Sequence, residues 1–153
     1  MLSLSELYNE LKIDVVAIAD PLFEHSRARL QACDGFLPHG AVLDTEGKVV
    51  VLGAMTGSKG GQASASQILP LLHGGVRQMF REKVVVAVGI AENVSLTRGG
   101  MPLQAIKVSL EHERGLNVAL FLPFHKSEQG EYFYGESFVM PAHPVMNLWP
   151  PVP

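Results

Sequence analysis

The stretch Ile106-Lys107-Val108-Ser109-Leu110-Glu111-His112-Glu113-Arg114-Gly115-Leu116-Asn117-Val118-Ala119-Leu120-Phe121-Leu122 decides the fold. Ile106, Val108 and Leu110 alternate with Lys107, Ser109 and Glu111. A period of two places the apolar side chains on one face of a strand and the polar ones on the other. Glu113-Arg114-Gly115 is a short polar turn, and Val118, Leu120 and Leu122 resume the alternation. Two alternating runs joined by a tight turn form an antiparallel hairpin.

Working outward, Arg98-Gly99-Gly100-Met101-Pro102 turns the chain into this hairpin. Val84 to Ile90 reads as a strand buried on both faces, with Asn93 to Thr97 extending it past a bend at Gly89. Downstream, Glu131 to Val139 reads as a last strand, with Phe133 on one face and Tyr132 and Tyr134 on the other. Residues 140–153 hold five prolines and read as an apolar, proline-rich tail lying across the surface without regular structure. Toward the N-terminus, Ala41-Val42-Leu43 and Val49-Val50-Val51-Leu52 flank the turn Asp44-Thr45-Glu46-Gly47, a further hairpin.

The remaining segments have helical spacing. Ser3 and Glu6 stand at capping-box distance before Leu4, Leu7, Tyr8 and Leu11. Ile13 to Ala19 fits either a helix continuation or a short strand. Asp20-Pro21 reads as a fresh helix start, with Asp20 as cap, and Asp34-Gly35 as its end. A second long helix is expected from about Ser64 to Arg81, apolar at Ile68, Leu71, Leu72, Val76, Met79 and Phe80. Pro70 and Gly74-Gly75 would weaken or kink it.

The order α, β-hairpin, α, β-meander implies a single layered α+β domain over residues 1–153. Its sheet should be mainly antiparallel, with five or six strands and two or three helices covering it. This element order resembles the profilin-like and roadblock-like layout. The resemblance implies an architecture and, by itself, no activity.

Composition narrows the partners. A chain that is 47% hydrophobic and 18% charged is globular. A net charge of −3 offers no basic footprint, so nucleic acid is not an expected partner. No apolar run approaches the length of a membrane span, and the first residues carry no positive leader pattern, so no membrane association is expected. Cys33 is the single cysteine, which excludes an internal disulfide and suits a reducing, cytoplasmic location. It is expected to be a buried structural thiol, since eight residues of helix, about 12 Å, separate it from His25.

Few residues form a chemical constellation. Gly53 to Gly61 follows a strand and precedes a helix, and Ser58 and Lys59 could contact an anion there. The spacing departs from that of phosphate-binding loops, which need Gly-Lys-Ser/Thr in that order. The six histidines, His25, His39, His73, His112, His125 and His143, show no paired ligand spacing, so no metal and no cofactor is expected. Asp34-Gly35-Phe36-Leu37-Pro38-His39-Gly40 could wall a pocket, with Asp34 and His39 as a polar pair. The plainer reading makes Phe36 and Leu37 core plugs. Phe124, Tyr132, Tyr134, Met146 and Trp149 enrich the C-terminal third in residue types favoured at interfaces.

Two functional classes follow. The first is a non-enzymatic protein–protein interaction or self-associating module, whose partner is another protein or a second copy. The alternative is a small ligand-binding protein or enzyme, with its pocket between residues 34–40 and 57–61 and Asp34, His39, Ser58 and Lys59 as polar groups.

Overall fold

Ser3 opens the fold as read: its hydroxyl accepts from the Glu6 amide at 3.1 Å while the Glu6 carboxylate accepts from the Ser3 amide at 3.2 Å. The computed structural model describes residues 2–53 and 64–149. In chain order the elements are α1 (Leu4–Glu10), α2 (Lys12–Cys33), β1 (His39–Asp44), β2 (Val49–Gly53), α3 (Ala65–Glu82), β3 (Val85–Arg98), β4 (Met101–His112), β5 (Asn117–Lys126), β6 (Tyr132–Tyr134) and β7 (Phe138–Pro141). The strands make one antiparallel sheet in the order β2-β1-β3-β4-β5-β6, and β7 also pairs with β5.

Helix α2 differs from the sequence reading. Ile13 to Ala19 is helical, and Asp20-Pro21 does not start a helix but lies inside one. Pro21 removes a hydrogen bond and crowds the preceding turn, which costs about 3 kcal/mol in an ordinary helix. The buried series Val15, Ile18, Ala19, Leu22, Ser26 and Leu30 crosses Pro21 at unbroken helical spacing, so packing overrides the local signal. The sheet beneath is bare where the helix crosses it: Ala41, Ala87 and Ala91 are fully buried, and Gly89 lies directly under Ile18 and Leu22. The helix ends at Asp34, which adopts the left-handed conformation at φ 60° as its C-cap. Cys33, expected inside, is exposed: it keeps the helical spacing of the stripe but lies on the last turn, beyond Leu30, the last buried residue of the helix.

The opposite face carries α3. Leu72 and Val76 pack on Val42, Val88 and Ile90, the C-terminal segment adds Met146 to the same cluster, and Ile68 is buried on the same side of the helix. The helix runs unbroken through Pro70 and Gly74-Gly75. β3 likewise runs unbroken through Gly89.

The expected last strand is two. β6 pairs Phe124 to Lys126, and β7 pairs Val118 to Phe121, with one extra residue on the outer side between them. Pro123 has no amide to continue the ladder; its carbonyl accepts from Gly135 at 2.9 Å. The sheet therefore has seven strands among the described residues. Nor is residue 140 the start of an unstructured tail: Met140 and Pro141 belong to β7 and Met146 is a core side chain.

Candidate functional site

Asp34 and His39 were read as a polar pair, and the fold sends them in opposite directions. Asp34 is exposed, and its Oδ1 accepts from Lys126 Nζ at 2.9 Å and from the Tyr132 hydroxyl at 3.1 Å. Those bonds hold its carboxyl below the usual carboxylate value and raise Lys126. His39 is only 2% exposed. Its Nδ1 donates to the Leu37 carbonyl at 3.0 Å, and its Nε2 meets the Ser26 hydroxyl at 3.1 Å. His25 and Phe36 close edge-on over the ring, at 4.4 and 5.5 Å between centroids. Both ring nitrogens are engaged inside the protein.

Burial holds the His39 imidazole below the ordinary histidine value of 6.5, and the nearby His25 and Arg29 charges act in the same direction. The folded chain therefore takes up this proton less readily than the unfolded chain. Stability from the neutral ring is complete above about pH 6.5 and is lost as pH falls from there through the folded value. Urea titrations from about pH 7.5 down to 5.5 should show falling stability, and His39→Gln should flatten that slope. The carboxylates with lowered values, Glu6, Asp34 and Asp44, titrate below this window.

A second histidine is internal in a way the sequence did not signal. His112 Nε2 lies 2.8 Å from Asp14 Oδ2, across 98 residues of chain. Its Nδ1 accepts the Arg114 amide at 3.1 Å, which leaves the ring proton on Nε2 and directs it to Asp14. This dyad has the look of a general base with its orienting carboxylate. With the second nitrogen occupied, however, no lone pair is left for a substrate proton. The dyad instead ties the first turn of α2 to the end of β4.

The cavities are shallow, and one of about 430 Å³ at the end of α3 is bordered by Arg81, Glu82, Lys83 and Glu113 beside Trp149. A notch of about 590 Å³ opens where β5 leaves β4, past the last pair Gln104 and Phe124. His125 and Lys126 border it, but His125 stacks on Phe133 and the Lys126 ammonium is bonded to Asp34. A groove of about 420 Å³ runs between α1 and the β7 edge, lined by Leu4, Tyr8, Val118, Val139, Met140 and Pro141, with Ser5 and Asn9 as its polar members. It contains no charged side chain. Leu4 is 40% exposed, Val139 43% and Met140 48%.

Of the aromatic and methionine side chains expected at an interface, Phe124 and Met146 are buried. Tyr132 and Tyr134 are half-buried against Phe124 and its neighbours, and Trp149 lies edge-on to Phe80 at 5.6 Å. Ser58 and Lys59, with the rest of the Gly57–Gly61 segment, lie outside the described residues. Among the described residues no group of three or more His, Cys, Asp or Glu side chains is placed to hold a metal ion. Among them too, no helix is long and apolar enough to cross a membrane. Comparison with protein families, curated proteins and solved structures finds no match.

Proposed function

We propose that this chain is a non-enzymatic interaction module that works by contact with a protein partner or a second copy of itself. The observation that carries this reading is the α1–β7 groove: six apolar side chains, four of them exposed, and no charged side chain among the described residues. An uncharged concave strip between a helix and the sheet suits an apolar segment that seats its side chains between α1 and β7 without extending the sheet. The titratable groups point the same way. His39 and His112 spend their ring nitrogens on the protein itself, so neither offers a free acid–base group to a cavity. A ligand pocket between residues 34–40 and 57–61 would draw on Asp34 alone among the described candidates. The exposed thiol of Cys33 suits a reducing compartment, and the cytoplasm is the proposed location.

A photo-crosslinking side chain at Val139 tests the groove in the native cell. A discrete adduct is expected there, and none from the exposed Glu128 on the β5–β6 turn. Leu4→Glu should abolish the adduct. Absence of any adduct from positions 4, 139 and 140 would remove the groove's role.

A further inference from the structure

We infer that β2 is a self-association edge, along which two copies of the chain join antiparallel about Val51 with their α3 helices side by side. The inference rests on the self-association side of the reading above but uses a different surface. β2 has β1 on one side and no strand on the other among the described residues. The two sheet edges are unlike. The far edge is broken into β6 and β7, carries an extra residue between them and ends in Pro141, devices that discourage another strand from adding. β2 reads Val49-Val50-Val51-Leu52-Gly53, with no charge, no proline and no bulge.

The register determines which backbone groups this edge offers. The Asp44 amide donates to the Lys48 carbonyl at 3.0 Å, so that pair is a hydrogen-bonded one. Bonded pairs recur at every second residue in an antiparallel ladder, which turns the backbone groups of Val50 and Leu52 toward β1. The N–H and C=O groups of Val49, Val51 and Gly53 therefore point outward. A two-fold axis at Val51 sets Val51 against its own copy and Val49 against Gly53 of the second copy. Every outward donor then meets an outward acceptor, for on the order of six backbone hydrogen bonds. The edge is thus self-complementary, as a closed two-fold contact requires.

Side chains on both faces agree. Val51 is 45% exposed and would meet its own copy across the axis. A Cβ at Gly53 would touch nothing among the described residues, and opposite it in the joined sheet stands Val49 of the second copy. On α3, the flank bearing Leu69 and Phe80 faces the C-terminal segment that lies over β4. The flank bearing Leu71, Gly75 and Gln78 therefore faces the β2 side. Leu71 is 63% exposed, and a Cβ at Gly75 would touch nothing. In the joined sheet these flanks run antiparallel on one face, and the bare Gly75 backbones leave room for the Leu71 side chains. The surface amounts to about a dozen residues a side against the 20–30 of a standard interface, so the dimer is a weak one, dissociating on the order of micromolar.

Sedimentation velocity on the full chain, from about one micromolar to several hundred, should show a monomer–dimer equilibrium. Val51→Lys sets two like charges against each other on the axis and should abolish the dimer while leaving the melting temperature unchanged. Gly75→Ala should raise the melting temperature of the monomer and weaken the dimer at least tenfold, a pair of opposite changes that misfolding cannot produce. Val51→Cys, in a Cys33→Ser background, should oxidise to a covalent dimer. A dimer indifferent to Val51→Lys and Gly75→Ala would overturn the β2 assignment and leave the module reading standing. A monomer at every concentration would overturn self-association altogether, and the module reading would then rest on the Val139 adduct alone.

Discussion

Gly89→Ala should lower the folding stability by about 3 kcal/mol, the upper end of the usual cost of an overpacked core. A Cβ built on Gly89 overlaps Ile18 Cγ2 and comes within 3.0 Å of Leu22 Cδ1. Both side chains are fully buried and lie on α2, so neither can swing into solvent. Accommodating the methyl means lifting a 22-residue helix from the sheet or bending β3 away from it. Lifting would open contacts along the whole stripe, because Ala41, Ala87 and Ala91 bring the sheet equally close on either side. Alanine does reduce the freedom of the unfolded chain, but by at most about 1 kcal/mol, too little to offset the clash. Urea denaturation read by circular dichroism would measure the change. The matched control is Gly74→Ala, on the solvent side of α3, where a Cβ meets nothing and stability should rise by about 1 kcal/mol. A neutral Gly89→Ala would mean that α2 does not sit on the bare floor described.

The contrast between those two glycines illustrates what local sequence can carry. Both appear as glycine inside a regular element, and only the partner layer distinguishes them. Alternation in β4 and β5 was legible because one face of each strand is buried by α2, and a period of two survives any detail of that packing. Pro21 misled because a helix start is a local signal, whereas the continuity of α2 depends on a stripe that only the sheet can reward. The break between β6 and β7 depends on Pro123, which lies in the neighbouring strand. For the site, the sequence marked Asp34 and His39 as polar groups near one another, five positions apart. It could not show that the left-handed cap at Asp34 aims its carboxylate outward to Lys126 while β1 carries His39 in toward Ser26. Partners 13 and 92 residues away leave no trace in spacing.

Glu111 is the sharpest case. Alternation assigns it, with Lys107 and Ser109, to the solvent face of β4, yet it is 3% exposed. The C-terminal segment explains why. Glu111 Oε2 accepts the amides of Val145 at 3.0 Å and Met146 at 2.6 Å, and Oε1 accepts that of Asn147 at 2.9 Å. Asn147 adopts φ 55°, the left-handed turn that lets successive amides converge on one anion. Met146 then fills a slot in the α3 cluster and Trp149 reaches Phe80.

Removing that carboxylate is expected to release the segment as a unit. Hydrogen bonds to a charged group contribute about 1.5–3 kcal/mol each, but their sum overstates the loss. Once the anchor is gone the segment can leave, and water then satisfies its amides. The cost of Glu111→Ala is therefore limited to the docking of the segment, dominated by the burial of Met146, and should be about 3 kcal/mol. Trp149 is the only tryptophan, so its fluorescence reports on this segment alone; its emission should shift to the red at denaturant concentrations where circular dichroism remains native. Glu111→Gln keeps one acceptor oxygen without the charge and should fall between the wild type and the alanine variant. Met146→Ala leaves the anchor and empties the slot, at about 2–3 kcal/mol. If anchor and slot hold one cooperative element, the double variant should cost little more than Glu111→Ala alone, since a segment already released has no further contact to lose. Fully additive losses would mean that Met146 stays docked without the carboxylate, and Glu111 would then be a buried charge satisfied by the segment rather than the group that holds it in place.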